Sequence, residues 1–173
     1  MKHFTLILIA MLFSMMAFAQ QTYDADFNQT KLMKVSGKTT NKVGHITFDG
    51  NSQLSMIYSE PEGEYFKIDG NLVKINMDGK KVELDAENVK MVGLQRATLL
   101  NCLSGNWEQA AIDNNAELTV TEEKGLKTIS IVANGKVPKG GYKAVVLTYR
   151  ADGKMIKMIL EEAIGIVNTY EIH

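Results

Sequence analysis

Few residues in this 173-residue chain could do chemistry, and their spacing decides against most of it. Past the first few residues the histidines are His45 and His173, and no His-x-x-x-His or Cys-x-x-Cys pair supplies the convergent ligands a metal ion needs. Asp24 and Asp26 share one face of a strand, so a carboxylate pair is sterically allowed. No acid or base motif accompanies them, and solvated edge residues are the better account. Glu122-Glu123 and Glu161-Glu162 are sequence neighbours near strand ends and point to opposite faces. Ser104 stands before Gly105 without the Gly-x-Ser-x-Gly elbow that acyl transfer uses; a turn or cap at a helix end explains it. Cys102 is the single cysteine, so no intrachain disulfide can form. Leu99, Leu100 and Leu103 around it mark a small buried hydrophobe rather than a reactive thiol. The expectation is a protein with no catalytic site, no metal and no cofactor.

Charge excludes another class. Nineteen Lys and Arg stand against twenty Asp and Glu, with no basic run, so the electrostatic footprint of a nucleic-acid partner is missing. Residues 1–19 carry the marks of a cleaved targeting segment. Lys2 supplies the positive start, Phe4 to Phe18 the apolar stretch, and Ala17-Phe18-Ala19 a small-residue cleavage signal. The apolar run falls short of the ~20 residues a bilayer span requires. The sequence therefore predicts export, cleavage after Ala19 and one folded domain over 20–173.

Most of that domain alternates with period two. Ala25, Phe27, Gln29, Lys31 and Met33 form one face of a first strand, with Asp24, Asp26, Asn28 and Thr30 on the other. Val43 to Phe48 and Gln53 to Tyr58 flank Asp49-Gly50-Asn51, and a second hairpin, Glu64 to Met77, turns at Asp69-Gly70-Asn71. Asp-Gly between alternating apolar runs is a strong hairpin signal, because glycine takes the positive φ of tight turns. A third turn at Asp78-Gly79-Lys80 leads into Lys81 to Asp85. Alternation then stops. Ala86 to Leu103 reads as a helix, with Val89, Val92, Leu99 and Leu103 at helical spacing, and Asn106 is placed to cap a short helix from Trp107 to Ile112. Five more strands follow: Glu117 to Glu122, Lys127 to Ala133, Tyr142 to Arg150, Lys154 to Glu161 and Ile164 to Ile172.

About eleven strands in series must curl, since open twisted sheets rarely stay flat beyond about ten. Several strands are apolar on both faces. Lys154 to Leu160 offers Met155 and Ile159 to one side and Ile156, Met158 and Leu160 to the other. A curled sheet with the inserted helices on its concave face accounts for this, and a hydrophobic cavity between them is the natural binding site.

Three pieces of sequence carry a family resemblance. Asp26-Phe27-Asn28-Gln29 matches an opening Asp-Phe-x-Gln strand, and the Asp49-Gly50-Asn51 hairpin follows it. The hairpin ends in Leu54-Ser55-Met56-Ile57-Tyr58-Ser59-Glu60-Pro61, against a Leu-x-aromatic-x-Tyr-x-x-Pro pattern with Met56 at the aromatic position. In these features the chain resembles the periplasmic lipoprotein carriers of the LolA-like family. The resemblance implies an open, unclosed antiparallel β-barrel of about eleven strands with an α-helical lid inserted mid-chain. It further implies a periplasmic monomer that shields the acyl chains of lipoproteins and shuttles them toward the outer membrane. Its partners would be an inner-membrane lipoprotein-releasing ABC transporter and an outer-membrane acceptor. Gly50 and Asn51 replace the basic residue and proline of the family's first hairpin, so the arginine latch of that position is not carried over. The cargo is then an acylated lipoprotein or another amphiphile, such as a glycolipid or pigment-like lipid. Phe48, Leu54, Met56, Tyr58, Phe66 and Ile68 are the expected lipid-binding residues of the sheet, with Leu94, Leu99 and Leu103 from the lid. The alternative, from a different class, is a structural or interaction domain of the cell envelope whose interior is simply filled.

Overall fold

The computed structural model describes residues 21–173, so the targeting segment and its cleavage point lie outside the described residues. Six strands come first: β1 (Tyr23–Met33), β2 (Lys38–Phe48), β3 (Gln53–Glu60), β4 (Tyr65–Asp69), β5 (Leu72–Met77) and β6 (Lys80–Asp85). Two helices follow, α1 (Lys90–Leu103) and α2 (Trp107–Asp113). The remaining strands are β7 (Ala116–Glu123), β8 (Leu126–Ala133), β9 (Tyr142–Arg150), β10 (Met155–Glu162) and β11 (Ile166–Ile172). Apart from β6 and β7, consecutive strands pair antiparallel, and β11 returns to pair with β1. The sheet order is β6-β5-β4-β3-β2-β1-β11-β10-β9-β8-β7, so β6 and β7 are its edges. The helices connect those two edges. This is the open eleven-stranded antiparallel architecture with a mid-chain helical insertion that the sequence predicts.

Local chemistry explains the turns. Asp49 Oδ1 accepts the backbone N–H groups of Asn51, Ser52 and Gln53 at 2.8–3.0 Å, closing the first hairpin in an Asx turn. Gly44 on β2 allows a close approach of its neighbours. A Cβ there would stand 2.5 Å from the Ile57 carbonyl oxygen and 2.6 Å from Phe27 Cζ. Phe27, 1% exposed, fills the space instead, with Tyr58 and Tyr170 edge-on at 5.4 and 5.6 Å.

Three expectations need correction. The first helix begins at Lys90, not Ala86, because Asp85 holds residues 86–89 in a turn: its Oδ1 accepts Glu87 N–H and its carbonyl accepts Asn88 and Val89 N–H. Asn106 precedes α2 but does not cap it through its side chain, which donates instead to Ser104 Oγ. On β10 a bulge between Met155 and Lys157 shifts the alternation, so Met155, Met158 and Leu160 are all buried. The extra residue defeats a strict period-two reading of that strand.

Candidate functional site

The inner face of β1 carries Phe27, Gln29 and Lys31, as the alternation requires, and the same face of β3 carries Leu54, Met56 and Tyr58. Opposite lies α1. The two helices join through Thr98, whose hydroxyl donates to the Leu94 carbonyl and accepts from Asn114 Nδ2. Gly105 ends α1 with φ +85°, which lets the chain reverse into α2. Trp107 opens α2, 6% exposed, with its indole N–H on the Cys102 carbonyl and its ring 5.9 Å from that of Tyr149. Lys127 from β8 covers the indole at 4.8 Å. Thus α2 seals the β7–β9 side of the sheet.

The other side is not sealed. Beneath α1 lies a cavity of about 230 Å³, lined from β1 to β6, from β9 to β11 and from α1. Its apolar wall is Leu54, Met56, Phe66, Val73, Ile75, Met77, Leu84, Val92, Leu99, Met158 and Leu160. Side chains of consecutive helix residues hold α1 over it. Arg96 Nε donates to the Gly70 carbonyl in the β4–β5 turn at 2.5 Å, and Gln95 Nε2 donates to the Gly140 carbonyl before β9. The lid is therefore tied to both halves of the open sheet.

One wall is polar. Gln29, Asn168 and Tyr170 line the cavity beside Tyr142, Glu162, Lys31 and Lys42. Gln29 Nε2 donates to Asn168 Oδ1 at 2.9 Å and to the Tyr170 hydroxyl at 3.3 Å, while Asn168 Nδ2 donates to Glu162 Oε1 at 3.1 Å. Burial raises the Glu162 carboxyl above its ordinary range, opposed by the Asn168 bond and the nearby Lys31. Lys42 is held by Glu64 and lies 5.5 Å from the Tyr58 ring centre. Burial also pushes the Tyr58 hydroxyl up to about 12.

Of the nine residues the sequence singles out, Leu54, Met56, Phe66 and Leu99 line this cavity. The other five lie elsewhere. Phe48 stacks on Tyr23 at 6.1 Å; Tyr58 is packed against Phe27; Ile68 pairs with Leu54 and Val73 across the sheet. Leu103 is fully buried at the end of α1, and Leu94 is half-buried. Sequence reasoning missed the polar wall, although Gln29 and Lys31 on the face of Phe27 were its visible signal. Burial pushes the Cys102 thiol up to about 12, as expected of a packing residue. A groove of about 790 Å³ on the far end of β1, β10 and β11 is larger but more open to solvent, and it shares no residue with the inner cavity.

The outer face holds a further titratable cluster. His45, directly opposite Asp26, has Nδ1 2.7 Å from Asp26 Oδ1 and Nε2 2.7 Å from Asp24 Oδ1. The two aspartates are thus not edge residues, since β1 is central, but ion-pair partners of a histidine. Both ring nitrogens are taken. Among the described residues, no group of three or more His, Cys, Asp or Glu is placed to hold a metal ion.

No protein-family model and no curated protein matches the chain. Solved structures do. A LolA superfamily protein from Nitrosomonas europaea is 11% identical, with 89% of this chain and 84% of that one covered at a TM-score of 0.42. The lipoprotein LppX of Mycobacterium tuberculosis is 8% identical over 96% and 93% of the two chains, at 0.37. LprF of Mycobacterium bovis is 12% identical over 87% and 84%, at 0.33. At such identities and scores these are likenesses of architecture alone, and they carry no weight for what the cavity holds.

Proposed function

We propose that this chain is a lipid carrier: it takes the acyl portion of an acylated lipoprotein, or of a related amphiphile, into the cavity beneath α1 and gives it up elsewhere. The observation that carries this reading is the cavity, an apolar chamber between a curled sheet and a helix tied down by two side chains. Each methylene withdrawn from water is worth about 0.8 kcal/mol, so an acyl anchor needs a protein to stay dispersed. Methionines suit the task, because their flexible thioethers adapt to variable apolar shapes, and Met56, Met77 and Met158 all line the chamber. No bond needs to be made or broken.

Size refines the proposal. The cavity of about 230 Å³ exceeds the roughly 150 Å³ that admits benzene but falls below the roughly 300–1,000 Å³ of common ligand pockets. With α1 in place it accepts one short apolar segment, and a longer chain enters only as α1 lifts. Export by residues 1–19, residence in the periplasm as a monomer, loading by an inner-membrane ABC transporter and delivery to an outer-membrane acceptor complete the proposal, on the strength of the sequence resemblance.

The test is native mass spectrometry of protein purified from a Gram-negative periplasm, followed by organic extraction. A co-purifying acylated peptide supports lipoprotein carriage; a glycolipid or pigment moves the cargo to another amphiphile. Protein that is ligand-free and also fails to bind a fluorescent acyl probe refutes the carrier and leaves an envelope interaction domain with a filled interior.

A further inference from the structure

The polar wall has a direction. Glu162, as a carboxylate, can only accept, so Asn168 must turn its Nδ2 toward it. Asn168 Oδ1 then faces Gln29, which must present its Nε2 in return. Gln29 is left with Oε1 on the other side. That oxygen is buried without a hydrogen-bond partner, on a residue that is 6% exposed and lines the apolar cavity. Buried acceptors are nearly always paired, and leaving one unpaired is costly. A filled core would place an apolar residue here, as Leu54 and Met56 do on β3.

Resting on the carrier reading above, we propose that this wall is a head-group subsite. It selects an amphiphile that carries a hydrogen-bond donor, an amide N–H or a hydroxyl, next to its apolar chain, and Gln29 Oε1 accepts that donor. Esters and ethers of equal length bury the same methylenes but bring no donor and leave the oxygen unpaired. The selected class is N-acyl amides and hydroxylated lipids, in preference to simple esters.

The experiment compares decanamide with methyl decanoate as competitors of a fluorescent acyl probe on the folded chain from Gln20, at pH 8, an alkaline value chosen because burial raises the Glu162 carboxyl. Both competitors carry a carbonyl; only the amide carries donors. Wild type should bind decanamide about tenfold more tightly, the effect of pairing one buried acceptor. Gln29→Leu should remove the preference. Glu162→Gln should reduce it too, because an amide at 162 can donate as well as accept and frees the chain of side-chain amides to reverse. That variant keeps the shape of the side chain, so it reports on direction rather than folding. Equal binding of both competitors by wild type, or a preference retained in either variant, overturns the subsite while leaving the carrier intact. If the acyl probe itself does not bind, the carrier fails and the subsite with it.

Discussion

Removing the Arg96 side-chain hydrogen bond should open the lid locally. Arg96 and Gln95 are adjacent on α1, yet they reach carbonyls on opposite halves of the sheet, at Gly70 and Gly140. Among the described residues Arg96 joins no ion pair, and its bond to Gly70 is its identified tether. A hydrogen bond to a charged donor contributes about 1.5–3 kcal/mol, and partial solvent exposure of Arg96 favours the lower end. At about 1.4 kcal/mol per factor of ten, the open fraction of α1 should rise about tenfold in Arg96→Met, which keeps the aliphatic stem and loses the donor. Hydrogen exchange resolves this by segment. Amides of α1 should exchange about tenfold faster, while those of β1 and β11, at the centre of the sheet, should not change. Unchanged α1 exchange would show that apolar packing alone holds the lid. Equal acceleration throughout would show that Arg96 supports the whole fold, and either result refutes a local tether.

Further outcomes follow from other sites. Val92→Phe adds a ring to the cavity wall and should displace about two ligand methylenes, roughly a tenfold loss of acyl-probe affinity at ~0.8 kcal/mol each; unchanged affinity with an intact circular dichroism spectrum would place the probe elsewhere. Gly44→Ala forces a Cβ against backbone and a buried ring, and should lower stability by at least the ~1–3 kcal/mol typical of overpacking, read as a fall in the urea midpoint without a change of slope. His45 is held above its ordinary value by its bonds to Asp26 and then Asp24, so NMR should place its titration midpoint above 6.5. A raised folded value means the stabilisation is fully present below pH 6.5 and is lost as pH rises through the folded midpoint. Because the pair is solvent-exposed, the loss should stay under about 1 kcal/mol and vanish in His45→Gln; a midpoint at or below 6.5 would dissolve the pairing.

The sequence by itself determined the strands, the turns between them and the helical break. Each of these is written in neighbouring residues: alternation in Leu54-Ser55-Met56-Ile57-Tyr58, a side-chain acceptor at Asp49, a glycine at 105. It also determined that Phe27 and Gln29 share one face of β1, since strand faces alternate by geometry; that this face is the inner one came only from the curl of the sheet. It could not determine depth along that face. Tyr58 and Met56 share a face of β3, but only the curl of the sheet leaves Met56 on the cavity and packs Tyr58 beneath Phe27. Nor could alternation survive the bulge on β10, which is a property of pairing with β9. The tether was equally out of view, because Gly70 and Gly140 meet α1 only once the strands have closed around it. So too for the outer cluster: Asp24 and Asp26 are separated from His45 by a whole hairpin, and antiparallel register alone makes them its partners. The polar wall depends most on tertiary structure. Gln29, Glu162 and Asn168 are each ordinary strand residues, and β11 pairing with β1 joins them into one directed chain of hydrogen bonds. Local sequence sets which way a side chain points, because strand geometry is local; what it meets there is set by strands from the far end of the chain.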